Sequence, residues 1–538
     1  MSTTPPPAAD QATATQPDQP DQPEQPAGLT IHDPARRRAV LVAVCIALMA
    51  VIASVTGLNV AQPELAVAFD ASQSQVLWFI NLYTLALAAL LLPLGALGDR
   101  WGRKPMLLAG LVVFGVANAA AGLAQSSEVM LGSRLLAGVG AAMIMPVTLA
   151  VITSTFPEEE RAKGIGAWTA VGGGGGLLGM YLSAVLVDLA SWRWLFALPI
   201  ALVVIAVVMT LRSVPNSRDA SAHRFDTIGS ATSALAVLGL VYALHEGPVH
   251  GWTEPVTLAA LAVGLVTGVA FLAWELRQPT PLLDIRLFRD RRLATGSLAI
   301  LTVFGVQAGI HVVLIPFLQV VLGWSALRAT FGMLPMALVM MFSSVIAAKV
   351  SARAGSRATV ASGLLLVSVG LALMAVLVST DGGYMALLPG MLTLGIGMGL
   401  AMTPSTEAIT SSLPGDKQGL ASALNDVTRE FGTAIGVALL GAVLTAGYRN
   451  AIGPELDSLP DLPDGVADTA REGLANAVAV APELDAQAAL VRAAQESFIG
   501  GWQTAMWVGA AVMAVMFAYV VAHSPSGRPG PSDNDQEA

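Results

Sequence analysis

The clearest pattern along the chain is a series of apolar runs separated by short polar segments. Each run is about 18 to 25 residues long, and a helix of that length crosses roughly 30 Å of hydrocarbon. The runs are centred near residues 50, 87, 115, 142, 176, 203, 235, 264, 308, 338, 368, 394, 432 and 511. The pattern predicts fourteen transmembrane helices, and an even number places both termini on the same side of the membrane.

The composition favours the same class of protein. Of the 538 residues, 54% are hydrophobic and 12% are charged, as in polytopic membrane proteins rather than soluble domains. Residues 1–38 and 524–538 are poor in apolar groups, which predicts disordered tails. The first apolar run, from Ala39 to about Ala61, is longer than a signal-peptide core and predicts an uncleaved first span.

The basic residues predict the orientation of the chain. Lys and Arg remain on the cytoplasmic side during membrane insertion. With the N-terminus inside, the predicted cytoplasmic segments hold 21 of the 28 basic residues, and only Arg134 and Arg429 fall within predicted spans. We therefore expect a multi-pass protein of the cell membrane with both termini in the cytoplasm. The segment from about 448 to 498 is then an external loop.

Two short repeats indicate an internal duplication. PVTLAVITSTFP (Pro146–Pro157) recurs as PSTEAITSSLP (Pro404–Pro414), and GALGDRWGRKP (Gly95–Pro105) has a weaker copy in AKVSARAGSRA (Ala348–Ala358). Both pairs are offset by eight predicted helices, and transporters are often built from duplicated bundles.

The repeats divide the predicted fold into bundles. We expect an all-α polytopic protein with a six-helix N-terminal bundle at 39–212 and a linker with two inserted helices at 213–277. A second six-helix bundle follows at 278–523 and includes the external loop.

The stretch between predicted helices 2 and 3 contains a candidate conformational latch, formed by Gly95, Asp99, Arg100, Gly102, Arg103 and Lys104. The glycines permit close backbone approach, and Asp99 can pair with Arg103 four residues on while lying near the N-terminus of a helix in the other half. Such a contact would hold the cytoplasmic side shut. The alternative is that the basic residues are only a topology signal, but this does not explain Asp99.

Three charges lie inside the predicted span near residue 432, where LNDVTREFGTAIG contains Asp426, Arg429 and Glu430. One arginine can neutralise only one of two carboxylates, and the other could alternate between neutral and charged forms, as a proton-coupled carrier requires. Our working hypothesis takes Asp426 as the cycling group and Glu430 as the main partner of Arg429. The alternative is a structural cluster that shares one proton permanently.

Other polar groups inside predicted spans are candidates for a substrate cavity, since polar groups are costly in lipid. These residues are Thr56, Asn59, Asn81, Tyr83, Gln307, His311 and Asn425. Each also has the simpler interpretation of a hydrogen bond between helices.

The sequence contains little that is typical of an enzyme. The chain has no GK dipeptide, so a Walker-type ATP site is absent, and the single cysteine excludes a paired-cysteine metal site. HEGPVH (His245–His250) has the wrong spacing for a helical zinc site and includes a proline, so we expect an external loop there. We therefore expect no cofactor and no metal, with a proton gradient as the energy source.

Taken together, these motifs resemble the major facilitator superfamily and, within it, the fourteen-helix drug/proton antiporters. The stretch Gly95–Pro105 is similar to the signature loop between helices 2 and 3 of that family. Arg134, Gly138 and Gly140 resemble the helix 4 motif, and Gly172–Gly179 resembles the antiporter motif of helix 5, with Gly176 at the usual proline position.

The resemblance implies a secondary exporter of amphipathic small molecules, drugs or antibiotics, working by alternating access against proton influx. It implies a monomer whose partners are its substrate, protons and the bilayer, with no nucleic acid. Many relatives have an acid at the position of Ser54 and some at that of Asn81, so their absence here predicts little preference for cationic cargo. The alternatives are an exporter of a lipid or metabolite and a transport-inactive membrane sensor or scaffold.

Overall fold

The structure is a computed structural model. It describes residues 30–71, 73–189, 191–217, 225–279, 281–413, 417–459, 463, 465–481 and 487–525, with the side chains of a few further residues, among them Thr56 and Asn59, left out. Most of both predicted disordered tails therefore lies outside the described residues. Within these residues, all regular structure is helical.

The helices follow one another along the chain in three groups. The first group is α1 (Pro34–Val60), α2 (Gln62–Phe69), α3 (Gln73–Trp101), α4 (Arg103–Gly122), α5 (Ser127–Thr155), α6 (Glu158–Leu189) and α7 (Ala197–Ser213). The second is α8 (Thr227–His250) and α9 (Pro255–Glu275). The third is α10 (Arg291–Pro316), α11 (Ala326–Ala354), α12 (Ser356–Leu377), α13 (Gly383–Ser411), α14 (Gln418–Asp457), α15 (Val466–Glu472), α16 (Leu474–Val480) and α17 (Gln487–His523).

The predicted all-α polytopic fold is confirmed. Thirteen segments of the described chain are long and apolar enough to cross a membrane. The other predicted span corresponds to α6, which is 32 residues long and contains the five consecutive glycines. Each of the fourteen apolar runs thus forms one long helix.

Many helix starts are specified by the local sequence. The side chains of Ser126, Asp226, Glu254, Asp290 and Ser325 each accept a hydrogen bond from a backbone N–H in the first turn of the following helix. These N–H groups have no partner inside the helix, so a short polar side chain at this position stabilises the helix start.

The two halves repeat the same helix pairings. In the first half α1 packs on α6 and α7, and α5 packs on α3 and α4. In the second half α10 packs on α14 and α17, and α13 packs on α11 and α12. These pairs correspond when α1 is matched with α10 and α7 with α17. The duplication predicted from two short repeats is therefore also present in the packing.

The inserted helices α8 and α9 form a hairpin on the outside of the two bundles. Helix α8 packs on α3 of the first half and on α14 of the second. An aromatic contact between Trp78 and Tyr242, with ring centroids 5.7 Å apart, belongs to the α3–α8 contact. Helix α9 packs chiefly on α8, and only 17% of an 18-residue apolar stretch of this helix is buried within the protein.

Two predicted loops are helical, which corrects the sequence-based expectation. Helix α8 continues through Pro248 to His250, and the proline lies in its last turn, where little of the helix follows the disturbance that a proline causes. The segment expected as an external loop contains the end of α14, the short helices α15 and α16, and the start of α17. The Tyr448 hydroxyl donates to Ala470 O at 2.8 Å, which ties α15 to α14.

The halves meet most closely on the side of the membrane where α3 ends. A Cβ on Gly95 would lie 2.8 Å from Gly419 O, and a Cβ on Gly166 would lie 2.9 Å from Ser344 O. At the opposite side, the rings of Tyr181 and Phe331 are 4.7 Å apart, measured between centroids. Only glycine, which has no side chain, allows the backbones at Gly95 and Gly166 to approach the other half so closely.

Candidate functional site

The turn between α3 and α4 places the predicted latch residues. Asp99 and Arg100 lie at the end of α3, and α4 begins at Arg103. Gly102 between them has a φ of 110°, a backbone conformation that favours glycine. A Cβ at Gly102 would also lie 2.8 Å from the side-chain oxygen of Asn216.

Asp99 connects the two halves of the protein. Its carboxylate is 5% exposed and accepts hydrogen bonds from Gly419 N at 2.8 Å and Leu420 N at 2.9 Å. Both N–H groups belong to the first turn of α14, where the helix dipole favours an anion. Arg103 adds an ion pair, with 2.9 Å between its Nη2 and Asp99 Oδ1. Asp99 therefore caps a helix of the opposite half.

The three basic residues of this turn have different positions. Arg103 is buried and bonded to Asp99, and its backbone N–H donates to Ser217 O at 2.8 Å. Lys104 donates to Leu211 O at 2.9 Å, a carbonyl in the last turn of α7. Arg100 is exposed. Lys104 and Arg103 thus fix the chain that follows α7 against the latch.

The charged cluster of α14 has a different pairing from the one expected. Arg429 Nη1 donates to Asp426 Oδ1 at 3.3 Å, and Asp426 is fully buried. Glu430 is half-buried and forms no such ion pair within the described residues. The expectation that Glu430 is the main partner of Arg429 is wrong. Residues three apart share a helix face, whereas adjacent residues point about 100° apart.

Arg429 reaches the interface between the halves through two aromatic rings. Its guanidinium lies 4.4 Å from the ring centroid of Phe304 on α10 and 5.2 Å from that of Trp168 on α6. Its Nη2 also lies 3.5 Å from the Cβ position of Gly172, in the glycine run of α6. A side chain of the second half is therefore held partly by the first half, through attraction between a cation and aromatic faces.

Three buried acceptors on α10 and α14 have no hydrogen-bond donor within the described residues. They are Asp426 Oδ2, Asn425 Oδ1 and Gln307 Oε1. A buried acceptor left unpaired costs about 1–3 kcal/mol, and more when it is charged. Addition of a proton to Asp426 would turn one of these acceptors into a donor.

Arg134 on α5 is fully buried and is bonded only to neutral groups that the structure describes. Its Nε donates to Phe79 O at 2.9 Å, and its Nη1 donates to Ser54 Oγ at 3.0 Å. The guanidinium also lies 4.5 Å from the ring centroid of Tyr83. Ser54 passes the chain of hydrogen bonds on by donating to Asn118 Oδ1 at 3.0 Å.

The two glycines after Arg134 act in packing. A Cβ on Gly138 would lie 2.5 Å from Tyr83 O, and a Cβ on Gly140 would lie 2.8 Å from Phe114 N. These contacts bring α3 and α4 against α5, so the glycines position Arg134 and Tyr83 beside one another.

The remaining cavity candidates that the structure describes belong to separate hydrogen-bonded groups. Tyr83 belongs to the Arg134 group, and Asn425 donates to Asp426 Oδ1 at 3.4 Å. On α10, His311 Nδ1 lies 2.6 Å from the carbonyl oxygen of Gln307. Asn81 is half-buried on α3. The side chains of Thr56 and Asn59 lie outside the described residues.

Sequence reasoning missed three groups that shape these sites. They are Trp168 and Phe304, which contact Arg429 from other helices, and Asn118, which accepts the hydrogen bond of Ser54. Only the glycines opposite Arg429 gave a signal, since a thin helix face leaves room for a long side chain from a neighbour.

Comparisons with known proteins agree with this geometry. Residues 44–437 match the family model of the Major Facilitator Superfamily. The chain is 33% identical over 480 residues to the multidrug efflux pump LfrA of Mycolicibacterium smegmatis, which covers 88% of this chain and 93% of that protein. It is 32% identical to the multidrug resistance protein Stp of Mycobacterium tuberculosis, over 85% of this chain and 87% of that protein.

Among solved structures, the fold resembles the crystal structure of the human organic anion transporter MFSD10. The TM-score is 0.59 at 15% identity, and the match covers 90% of this chain and 99% of that one. The relatives are transporters rather than enzymes, and the chain has the helices of a multi-pass membrane protein. From its matched sequence, its duplicated helix packing and its relatives, this chain belongs to the major facilitator superfamily.

Proposed function

We propose that this protein exports amphipathic small molecules, drugs or antibiotics, in exchange for protons that enter the cell. The observation that carries the proposal is the arrangement of α14, where two carboxylates and a single arginine lie inside a membrane-spanning helix. Asp426 is bonded to Arg429, which leaves Glu430 as the carboxylate without an ion-pair partner in the described residues. The names of LfrA and Stp support the export of several drugs.

The pairing changes which acid we assign to the proton cycle. A carboxylate held by an arginine keeps its charge more readily than one without a cation, and an unpaired carboxylate in low dielectric gains most from protonation. We therefore take Glu430 as the cycling group and Asp426 as the group that positions Arg429. Release of the proton from Glu430 would change the net charge at the interface that Arg429 forms with Trp168.

The Asp99 contact is the second element of the proposed cycle. It joins the end of α3 to the start of α14 and so holds the halves together on one side of the membrane. With both termini in the cytoplasm, as the basic residues predict, this is the cytoplasmic side. The contact must break for cargo to enter from the cytoplasm, which makes it a state-specific latch in alternating access.

The proposed cargo is neutral or zwitterionic as well as cationic. Arg134 is a buried cation with Ser54 as its partner where many relatives have an acid, so the first half holds a positive charge rather than a neutral pair. A positive charge near the path disfavours a permanent cation. No cofactor other than the proton gradient is required, and a monomer contains the whole proposed machinery.

Reconstituted protein tests the proposal. In proteoliposomes with a pH gradient, addition of a transported compound should move protons in the opposite direction, and Glu430→Gln should abolish this movement. Substrate movement without any proton movement would indicate an exporter that is driven by another energy source. The absence of both movements across a broad panel of compounds would indicate a sensor or scaffold.

A further inference from the structure

Two acidic side chains meet at the end of the inserted hairpin, away from the cluster on α14. Asp226 precedes α8, and its Oδ1 accepts a hydrogen bond from Gly229 N at 2.8 Å. The indole N–H of Trp274, near the end of α9, lies 3.1 Å from Oδ1 and 3.2 Å from Oδ2 of the same carboxyl. Asp226 thus fastens the start of α8 to the end of α9.

Glu275 is the second member of the pair. It is 3% exposed, and its Oε2 accepts a hydrogen bond from Leu283 N at 3.1 Å in the linker to α10. Its Oε1 is buried and has no donor within the described residues. A Cβ placed on Gly229 would contact both this oxygen and Asp226 Oδ2, so the two carboxyls lie side by side over that glycine.

No cation among the described residues forms an ion pair with either carboxyl. Asp226 is the charged group that acts on Glu275. The charged residues at the described ends of the neighbouring elements include Arg100 on α3, Lys417 before α14, and Arg277, Asp284 and Arg286 in the linker. Arg100, Arg277 and Arg286 are exposed, and Arg286 donates to Leu276 O at 3.1 Å instead. Asp284 accepts a hydrogen bond from the backbone N–H of Arg286.

We propose that Asp226 and Glu275 form a second proton-binding site, in which one proton is shared between the two carboxyls. Two carboxylates in contact cannot both remain charged without a cation, whereas a single proton turns their repulsion into a hydrogen bond. The proton supplies the donor that Glu275 Oε1 lacks. Gly229 is required there, because any side chain would separate the two groups.

The shared proton fastens the linker to the hairpin. With the proton bound, Glu275 holds Leu283 N while it is joined to Asp226 at the start of α8. Without it, two adjacent anions repel, and the linker that leads into α10 is released from α8. The pair lies where α8 begins and α9 ends, and α8 packs on α3 and α14, the two helices of the Asp99 contact.

Purified full-length protein tests this site without any substrate, so the result is independent of the proposed export. Between about pH 5 and about pH 9 the melting temperature of the wild type should fall relative to that of Glu275→Gln, by about 2 °C or more. The amide of Glu275→Gln donates to Asp226 and does not titrate, so this variant should lose the pH-dependent component. Glu254→Gln, at the opposite end of the α8–α9 hairpin, is the matched control and should keep the wild-type dependence.

Infrared spectroscopy reads the proton directly. At neutral pH the wild type should show one more band of a protonated carboxyl than Glu275→Gln or Gly229→Ala, because a protonated Glu430 would contribute equally to all three proteins. Gly268→Ala is the control for the glycine, because a Cβ there meets its nearest neighbour only at 3.8 Å. A difference spectrum between the wild type and Glu275→Gln that lacks this band, or equal pH dependence in the wild type and that variant, would overturn the proposal.

Discussion

The carboxylate of Asp99 and the backbone N–H of Gly419 are 2.8 Å apart, although 320 residues separate them in the chain. This hydrogen bond crosses from the first half of the protein to the second. It is also the point where a side chain of the α3–α4 turn completes the first turn of α14. The chemistry of the contact determines what its disruption should do.

Asp99→Asn should slow transport about tenfold or more while leaving expression and membrane insertion intact. The amide keeps the shape but loses the charge that favours the helix N-terminus and Arg103, and a loss of about 1.4 kcal/mol from one state shifts its population tenfold. Transport at matched expression measures this effect. Arg100→Gln is the control, since Arg100 is exposed beside Asp99. If Asp99→Asn transports at the wild-type rate, the turn is not a latch and its basic residues only orient the chain in the membrane.

Gly419→Ala should produce the same defect without a change of charge. The added Cβ would lie 2.6 Å from Gly95 O and 2.7 Å from Asp99 Oδ1, so α3 and α14 must move apart. Gly441→Ala on the same helix is the matched control, because its nearest neighbour would be 3.8 Å away. Labelling of a cysteine introduced at this contact, with reagent added from the cytoplasmic side, should increase in Gly419→Ala and not in Gly441→Ala. Equal labelling of both variants would mean that close approach at Gly419 does not hold this side shut.

The acids of α14 should separate by function. Glu430→Gln should abolish substrate-driven proton movement while substrate binding remains, since the neutral amide imitates the protonated acid. Asp426→Asn should weaken binding and stability as well, because it removes the carboxylate partner of Arg429. Proton release and thermal stability of the two variants are measured in parallel. Full proton coupling in Glu430→Gln would instead assign the role of proton carrier to Asp426, and His311 would be the next candidate.

The contribution of Arg429 to transport should depend on its aromatic partners. Trp168→Ala removes a ring 5.2 Å from the guanidinium and also the Trp168 Nε1 hydrogen bond to Thr148 Oγ1. We expect lower transport and a loss of about 3 kcal/mol of stability, with partial recovery of transport in Trp168→Phe, which keeps an aromatic face. Transport in Trp168→Phe no better than in Trp168→Ala would show that the ring face does not matter for Arg429.

The preference of the transporter for the charge of its substrate should depend on Ser54. The wild type should export neutral or zwitterionic compounds at least as well as permanent cations, as judged from resistance profiles in an efflux-deficient host. Ser54→Asp gives Arg134 a carboxylate partner and should raise the export of cations several-fold relative to neutral compounds. Asn118→Asp changes the next group in the same chain of hydrogen bonds and serves for comparison. Quaternary ammonium dyes as the best substrates of the wild type would refute the proposed preference.

The sequence alone was sufficient for the features that depend on local order. Fourteen apolar runs became fourteen long helices, because the length needed to cross hydrocarbon is a property of each segment by itself. The proximity of Asp99 and Arg103 was also expected from their short separation in the chain, although they lie on different helices, at the end of α3 and the start of α4. The duplication was readable from Pro146–Pro157 and its later copy, and the same helix pairings recur in both halves.

Only the tertiary structure decided which groups meet across helices. Arg429 faces Asp426 rather than Glu430 and stacks between Phe304 and Trp168, and Arg134 is bonded to Ser54. Asp226 and Glu275, 49 positions apart, meet because the α8–α9 hairpin folds back on itself. Hydrophobic length and helix spacing determine that a helix forms, but the direction of a side chain relative to a distant helix depends on packing angle and rotation. Those are set by the whole bundle, in which residues such as Gly419 allow the closest approach.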